Sequence, residues 1–520
     1  MDEISRRQFL EFMGKGTLGI AALNLAACSG KYLGLTWESF EGLKPMMTDN
    51  LELVSGLNYE RLLSWGDKIN KKEKFGFNND YLAYFPLAED RGILWANHEY
   101  VDRVFVSGRA RTKANIIKER KEVGGSLVEI KRENGRWRPI SNSQYNRRVD
   151  ANTEFDIIAE RPIAGSKTAV GTFGNCAGGV TPWGTVLTCE ENVDYYYGWK
   201  NEKHGKFKTG FMHWAKYFKG PHEHYGWVVE IDPKTGKGKK LTSMGRFAHE
   251  CATVRELPDG RCVVYTGDDK NDEHIYKFIA SEKGSLEKGE LFVANLEEGR
   301  WISLDINKQP KLKAHFDDQT EVLIYAREAA KIVGATPTNR PEDFEIHPET
   351  GDVYLTLTNN IPRGDFHGEI MKISEDGNDP LSMTFKADTF LAGGEKTGFA
   401  CPDNLAFDKN GNLWMVTDIS GSGLGNGPYK PFGNNGLFYI PLEGPKAGIP
   451  IQVASAPMDA ELTGICFTPD NETLLLSVQH PGETTKSLKK LKSNWPHGGN
   501  EIPKPSVVQI KGPLLNQLLG

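Results

Sequence analysis

FDKNGNLWMVTD, Phe407 to Asp418, reads as the end of one strand, a tight turn and a second strand that closes on an acid. Asn410-Gly411 supplies the positive φ that a hairpin turn needs, and Leu413 to Val416 has the apolar make-up of a buried strand. The pattern recurs as ELPDGRCVVYTGDD (256–269), IHPETGDVYLTLTNN (346–360) and FTPDNETLLLSVQH (467–480). LAEDRGILWANHE (87–99) and GTFGNCAGGVTPWGTVLTCEEN (171–192) are looser copies. Imperfect copies of one hairpin spread over most of a chain indicate an all-β fold, a β-propeller of six irregular blades. A β-sandwich with extra domains is the rival arrangement. The uneven spacing requires insertions, for which Lys200 to Lys219 and Ser281 to Gln319 are the candidates. Glu321 to Val333 has a helical pattern, and residues 486–505 read as an exposed basic loop.

The chain has 520 residues, enough for a large core, and a net charge of −6 that gives no footprint for nucleic acid. The N-terminus carries Ser5-Arg6-Arg7-Gln8-Phe9-Leu10, then an apolar run from about Thr17 to Ala27, which is the form of a twin-arginine export signal. Leu25-Ala26-Ala27-Cys28 has the form of a lipobox, with Cys28 as the lipidated first residue of the mature chain. That run is shorter than the roughly 20 residues of a membrane span, so membrane contact is expected only through a lipid anchor. Residues 1–28 are thus read as signal and 29–520 as one propeller domain. Six further cysteines form no CxxC pair; Cys189 and Cys262 sit in apolar strand patterns, and any two of the six are open to pairing in an exported protein.

A propeller gathers residues from distant parts of the chain at the mouth of its central channel. Six groups are candidates for that mouth: Asn97-His98-Glu99-Tyr100, Asn175-Cys176 with Glu190-Glu191, Arg246 to Glu250, Arg340 to Asp343, Pro402-Asp403-Asn404 and Glu461 to Gly464. Singly each has a plain structural reading. His249 reads equally as a strand cap, His98 as a donor behind a ligand, and Glu342 and Asp343 as turn acids. Cys176 alone reads as a small buried residue. Together, several carboxylates and one thiol on a common axis would repel one another unless cations lay among them. Hard oxygen ligands suit Ca²⁺ or Fe³⁺, and a thiolate narrows one position to a transition metal. Arg340 is the candidate for gripping an anionic substrate.

WANHEY, GNCAGGVTPWGTVLTCEEN, GWVVEIDP, GRFAHE, GDD with IYKF, VGATPTNRPEDFE, PDNLAFDKNGNLW, LTGICFTPDNETL and VQHPGE occur in order from about residue 90 to 485. As a set they resemble the PhoX-type alkaline phosphatases. The resemblance implies a propeller with Fe³⁺ and Ca²⁺ at its axis, an oxo bridge between the irons, a monomeric state, and hydrolysis of phosphomonoesters. It further implies metal binding by Cys176, by Glu190 or Glu191, and by Glu250, Glu342 and Asp403, with Arg340 on the phosphoryl group. Catalytic roles are expected for Asn175 and His249, and Asn97 and His98, like them, are expected to contact substrate or to support the ligands from behind. Cys251 departs from the glycine expected after Glu250 and would crowd the site or add a ligand. Two other readings stay open: a calcium-dependent lactonase-like propeller, and a non-catalytic propeller lipoprotein that binds a partner.

Overall fold

The computed structural model describes residues 40–519; the signal and lipobox of residues 1–28 lie outside them. Six sheets stand around one axis, antiparallel except where Gly238–Leu241 pairs in parallel with Glu154–Ile158, and their innermost strands pack side by side in a closed ring. In chain order these inner strands are Asn79–Ala88, Asn175–Val180, Thr253–Glu256, Pro341–Ile346, Pro402–Phe407 and Glu461–Phe467, which define blades 1 to 6. Each inner strand pairs through a tight turn with a second strand: Arg91–His98, Val186–Glu190, Cys262–Gly267, Val353–Leu357, Leu413–Thr417 and Leu474–Gln479. These are the six hairpins of the sequence pattern. The fold is the expected six-bladed propeller. The ring is locked by the N-terminal segment, because Asn58–Ser64 pairs with Ser506–Lys511 to complete blade 6.

The apolar second strands have a geometric cause. Successive side chains of a strand point to opposite faces, and in a propeller both faces meet a neighbouring blade. Leu413 and Met415 of blade 5 pack against Tyr354 and Ile370 of blade 4, whereas Trp414 and Val416 pack against Leu462, Leu474 and Leu476 of blade 6. Val264 faces blade 2, while Val263 and Tyr265 face blade 4. Leu475 with Val507 closes the circle against Leu82 and Leu94 of blade 1. A polar residue at any of these positions would be buried at a seam, so alternation of polar and apolar residues is lost.

Three local expectations are refined. Ser281 to Gln319 is not purely an insertion, since Gly289–Asn295 and Arg300–Ser303 are the outer strands of blade 3. The helical region is two helices, Gln319–Ile324 and Ala326–Val333, meeting at Tyr325. Cys176, Cys189, Cys251, Cys262, Cys401 and Cys466 are all free thiols, and Cys189 and Cys262 are core residues as expected.

Candidate metal centre

One local device delivers side chains to the channel mouth. In five blades a residue in the left-handed region precedes the inner strand: Asn78, Gly174, Arg340, Cys401 and Asp459. Two residues later comes the side chain that faces the channel, respectively Asp80, Cys176, Glu342, Asp403 and Glu461. In each of these blades the inner strand then slips register, as between Asn175 and Gly178 or between Pro402 and Leu405. Such bulges re-aim side chains. Blade 3 lacks the kink and supplies Glu250 from just ahead of Thr253–Glu256.

A second ring sits above the first. Antiparallel pairing sets the end of each second strand beside the start of its inner strand, as in Asn79 opposite His98 and Glu461 opposite Gln479. The residues that follow, Glu99, Glu191, Asp269, Asp418 and His480, line the same cavity of about 420 Å³. Blade 4 departs from this pattern: there Thr358 donates its hydroxyl to Glu342 Oε1 at 2.8 Å.

Potential ligand atoms fall into three overlapping groups, each with all its atoms within 4.8 Å of one another. They are Asp80/Glu99/Cys176, Cys176/Glu191/Glu250 and Glu250/Glu342/Asp403. Cys176 and Glu250 each belong to two groups, and Cys176 Sγ lies 3.0 Å from Glu250 Oε1. Burial, then mutual repulsion, forces these groups toward their protonated forms. Glu250, Glu191 and Asp403 are pushed well above the usual carboxylate range. Burial takes Glu99 and Glu342 to about 8 and Asp80 to about 7, and it raises the Cys176 thiol as well. The exception is Asp269, where Arg340 and Lys270 outweigh burial and hold the carboxyl below its usual value. Arg340 Nη2 lies 2.7 Å from both Asp269 Oδ2 and Glu342 Oε1. Asp269 Oδ1 is buried without a partner. A set of buried acids and one thiol that the chain does not neutralise is a donor set suited to cations.

The structure separates the sequence candidates. Cys176, Glu191, Glu250, Arg340, Glu342 and Asp403 converge on the cavity. Glu190 does not: it points to the other side of its strand, pairs with buried Lys240 at 2.5 Å and accepts from Gly226 N at 2.9 Å. Asn175 donates to the hydroxyls of Thr172 and Thr188 inside the protein. His249 is held between Thr266 Oγ1 and Gly245 O, stacks on Phe247, and is driven by burial to about 4. A neutral, enclosed imidazole has no path to a substrate here; it braces the loop that carries Glu250. His98 is likewise internal, on Ser126 and Phe77 O. Asn97 supports the site from behind, donating to the carbonyls of Cys176 and Ala177 at 2.6 and 2.9 Å. Cys251 belongs to the seam between blades 3 and 4, turned from the ligand groups. Asp343 leaves the mouth too, accepting from Leu405 N at 2.9 Å. Asp80, Asp418 and His480 were not among the candidates. Asp418 and His480 carried a positional signal, as the last letters of their hairpin copies, like Glu99 and Asp269 in theirs.

The family profile described as alkaline phosphatase PhoX matches residues 38–482. The chain belongs to the PhoX alkaline phosphatase family. PhoX of Pseudomonas fluorescens, solved in complex with vanadate, a transition state analogue, is 32% identical, with a TM-score of 0.82. The match covers 91% of this chain and 98% of that one. A Dyadobacter fermentans protein of unknown function has 11% identity and a TM-score of 0.37, over 88% and 100% of the two chains. A Xanthomonas campestris gluconolactonase has 11% identity and a TM-score of 0.32, over 84% and 97%. A search of curated protein sequences gave no match. The PhoX family and the six-bladed fold therefore agree with the motifs read from the sequence.

Proposed function

We propose that this protein is an exported phosphomonoesterase that works with iron and calcium held at the propeller axis. The observation that supports this most directly is the run of three linked ligand groups across the channel mouth, in a chain of the PhoX family. The groups containing Cys176 suit Fe³⁺, since they pair a soft ligand with carboxylates; Glu250/Glu342/Asp403 offers oxygen alone and suits Ca²⁺. Bound there, the cations would neutralise charge on the transferring phosphoryl group and activate an oxygen nucleophile.

The chain's own part is chiefly electrostatic. Arg340, held by Asp269 and Glu342, presents a fixed guanidinium to the cavity and orients the phosphoryl oxygens. Lys270 Nζ donates to Asn192 Oδ1 at 2.6 Å and lies 3.5 Å from Glu191 Oε1, fixing that carboxylate. His480 does the same for Glu461, with Nε2 3.0 Å from Oε2. Loading the centre requires Cys176 and the carboxyls to release their protons, so metal affinity rises with pH.

Cys176→Ala is expected to lose iron, the colour of iron–thiolate charge transfer, and about 100-fold in kcat toward p-nitrophenyl phosphate. Metal analysis beside that assay, with and without added Ca²⁺, is the test. A metal-loaded wild type that hydrolyses a lactone but no phosphate ester would overturn the reading. Residues 1–28 supply the export route, by the twin-arginine pathway with Cys28 lipidated, and the enzyme acts as a monomer at the cell envelope. Replacing Arg6-Arg7 by Lys-Lys is the corresponding check, expected to retain the protein in the cytoplasm.

A further inference from the structure

Between blade 2's second strand and Val228–Ile231 the chain makes an excursion rich in aromatic residues, most of which it buries. Tyr196, Tyr197, Trp214 and Tyr225 close around Phe173 as a compact core. Two aromatics of the excursion stay outside that core at the channel mouth, Tyr195 at 38% and Phe211 at 52% exposed. Their ring centroids are 5.0 Å apart, and the Arg103 guanidinium lies 6.0 Å from the Phe211 centroid. Both rings border the phosphoryl cavity, and both also border a second cleft of about 740 Å³ beside it. They form the ridge between the two. The ridge is pre-set: Met212 N donates to Tyr195 O at 2.8 Å, and Arg111 holds Met212 O. Tyr195 stands only four residues after Glu191, so ridge and centre are built on one segment.

We propose that Tyr195 and Phe211 are specificity-determining residues that stack a flat aromatic leaving group, and that the substrates so favoured are nucleoside monophosphates. This rests on the phosphatase reading above. With the phosphoryl group at Arg340, the remainder of the ester extends into the same cavity that Tyr195 and Phe211 line. A nucleobase has the flat π face that an aromatic pair and an adjacent guanidinium hold. A sugar phosphate lacks it. Because the ridge touches the leaving group and no reacting atom, its contribution is uniform binding, visible in KM with kcat unchanged.

Adenosine 5′-monophosphate and ribose 5-phosphate make the test, since they share the reacting end and the 5′ alcohol and differ in the base. In the metal-loaded wild type the nucleotide is expected to have the lower KM. Phe211→Ala should raise that KM about tenfold, leave ribose 5-phosphate unaffected, and be rescued by Phe211→Trp. Equal changes for both esters, or none, would overturn the proposal and leave the ridge as a docking or structural feature. If the wild type hydrolyses neither ester, the phosphatase reading fails instead. Calorimetric binding of the two compounds to wild type and Phe211→Ala then decides the ridge independently.

Discussion

Two places in this propeller bury a carboxylate from the same strand end, and they treat it in opposite ways. At the blade 2 seam, Glu190 is paired with Lys240 and capped by two backbone amides, all inside the protein. One residue on, Glu191 enters a cavity crowded with other acids, where the nearby cations Lys270 and Arg340 are too few for the carboxylates they face. The first carboxylate is neutralised within the chain. The second shares too few cations with its acidic neighbours to be neutralised in the same way, and that difference separates a structural charge from a candidate metal ligand.

The largest effect should come from removing the acid that two ligand groups share. Glu250→Ala is expected to cost about 10²–10³-fold in kcat and to lower the metal content, measured by elemental analysis beside the phosphatase assay. Normal turnover and a full metal complement would break the contrast. At the seam the expected loss is of stability. Lys240→Met strands a buried charge and should cost about 3–5 kcal/mol in denaturant unfolding, with kcat of the folded fraction unchanged. The double variant Glu190→Gln/Lys240→Met should recover much of that stability, because no unpaired charge remains.

The smallest effect, and the finest probe, is pH. Glu99 and Glu342, at about 8, and Asp80, at about 7, sit above their values in the unfolded chain. The native state therefore holds more protons between about pH 4 and 8, and stability contributed in acid is lost as pH rises through the folded values. Chelated protein should show a falling melting temperature from pH 5 to pH 9. Metal-loaded protein should show a smaller fall or none, since the cations replace the protons. Parallel curves would mean that the cavity acids are not the ligands.

Legibility in the sequence followed the range of the interactions. The hairpin turns are local, so Asn410-Gly411 and its counterparts announced the blades directly. Cys176, Glu250, Glu342 and Asp403 were legible as motif residues near strand starts. Asp80 was not, because Asn79-Asp80 looks like any polar turn until Asn78 is seen in its left-handed conformation. His249 and Asn175 misled for the opposite reason. Their residue types suit chemistry, but their hydrogen bonds are all internal, and only three-dimensional packing reveals that.

Turn chemistry, apolar strand runs and the acids that close them, all short-range properties of the chain, determined by themselves a repeated hairpin with polar or acidic strand ends. Which face each side chain took was decided only in the folded ring. A bulge or a left-handed residue shifts the two-residue alternation of a strand, and with it sends Glu191 into the acidic cavity and Glu190 to a lysine.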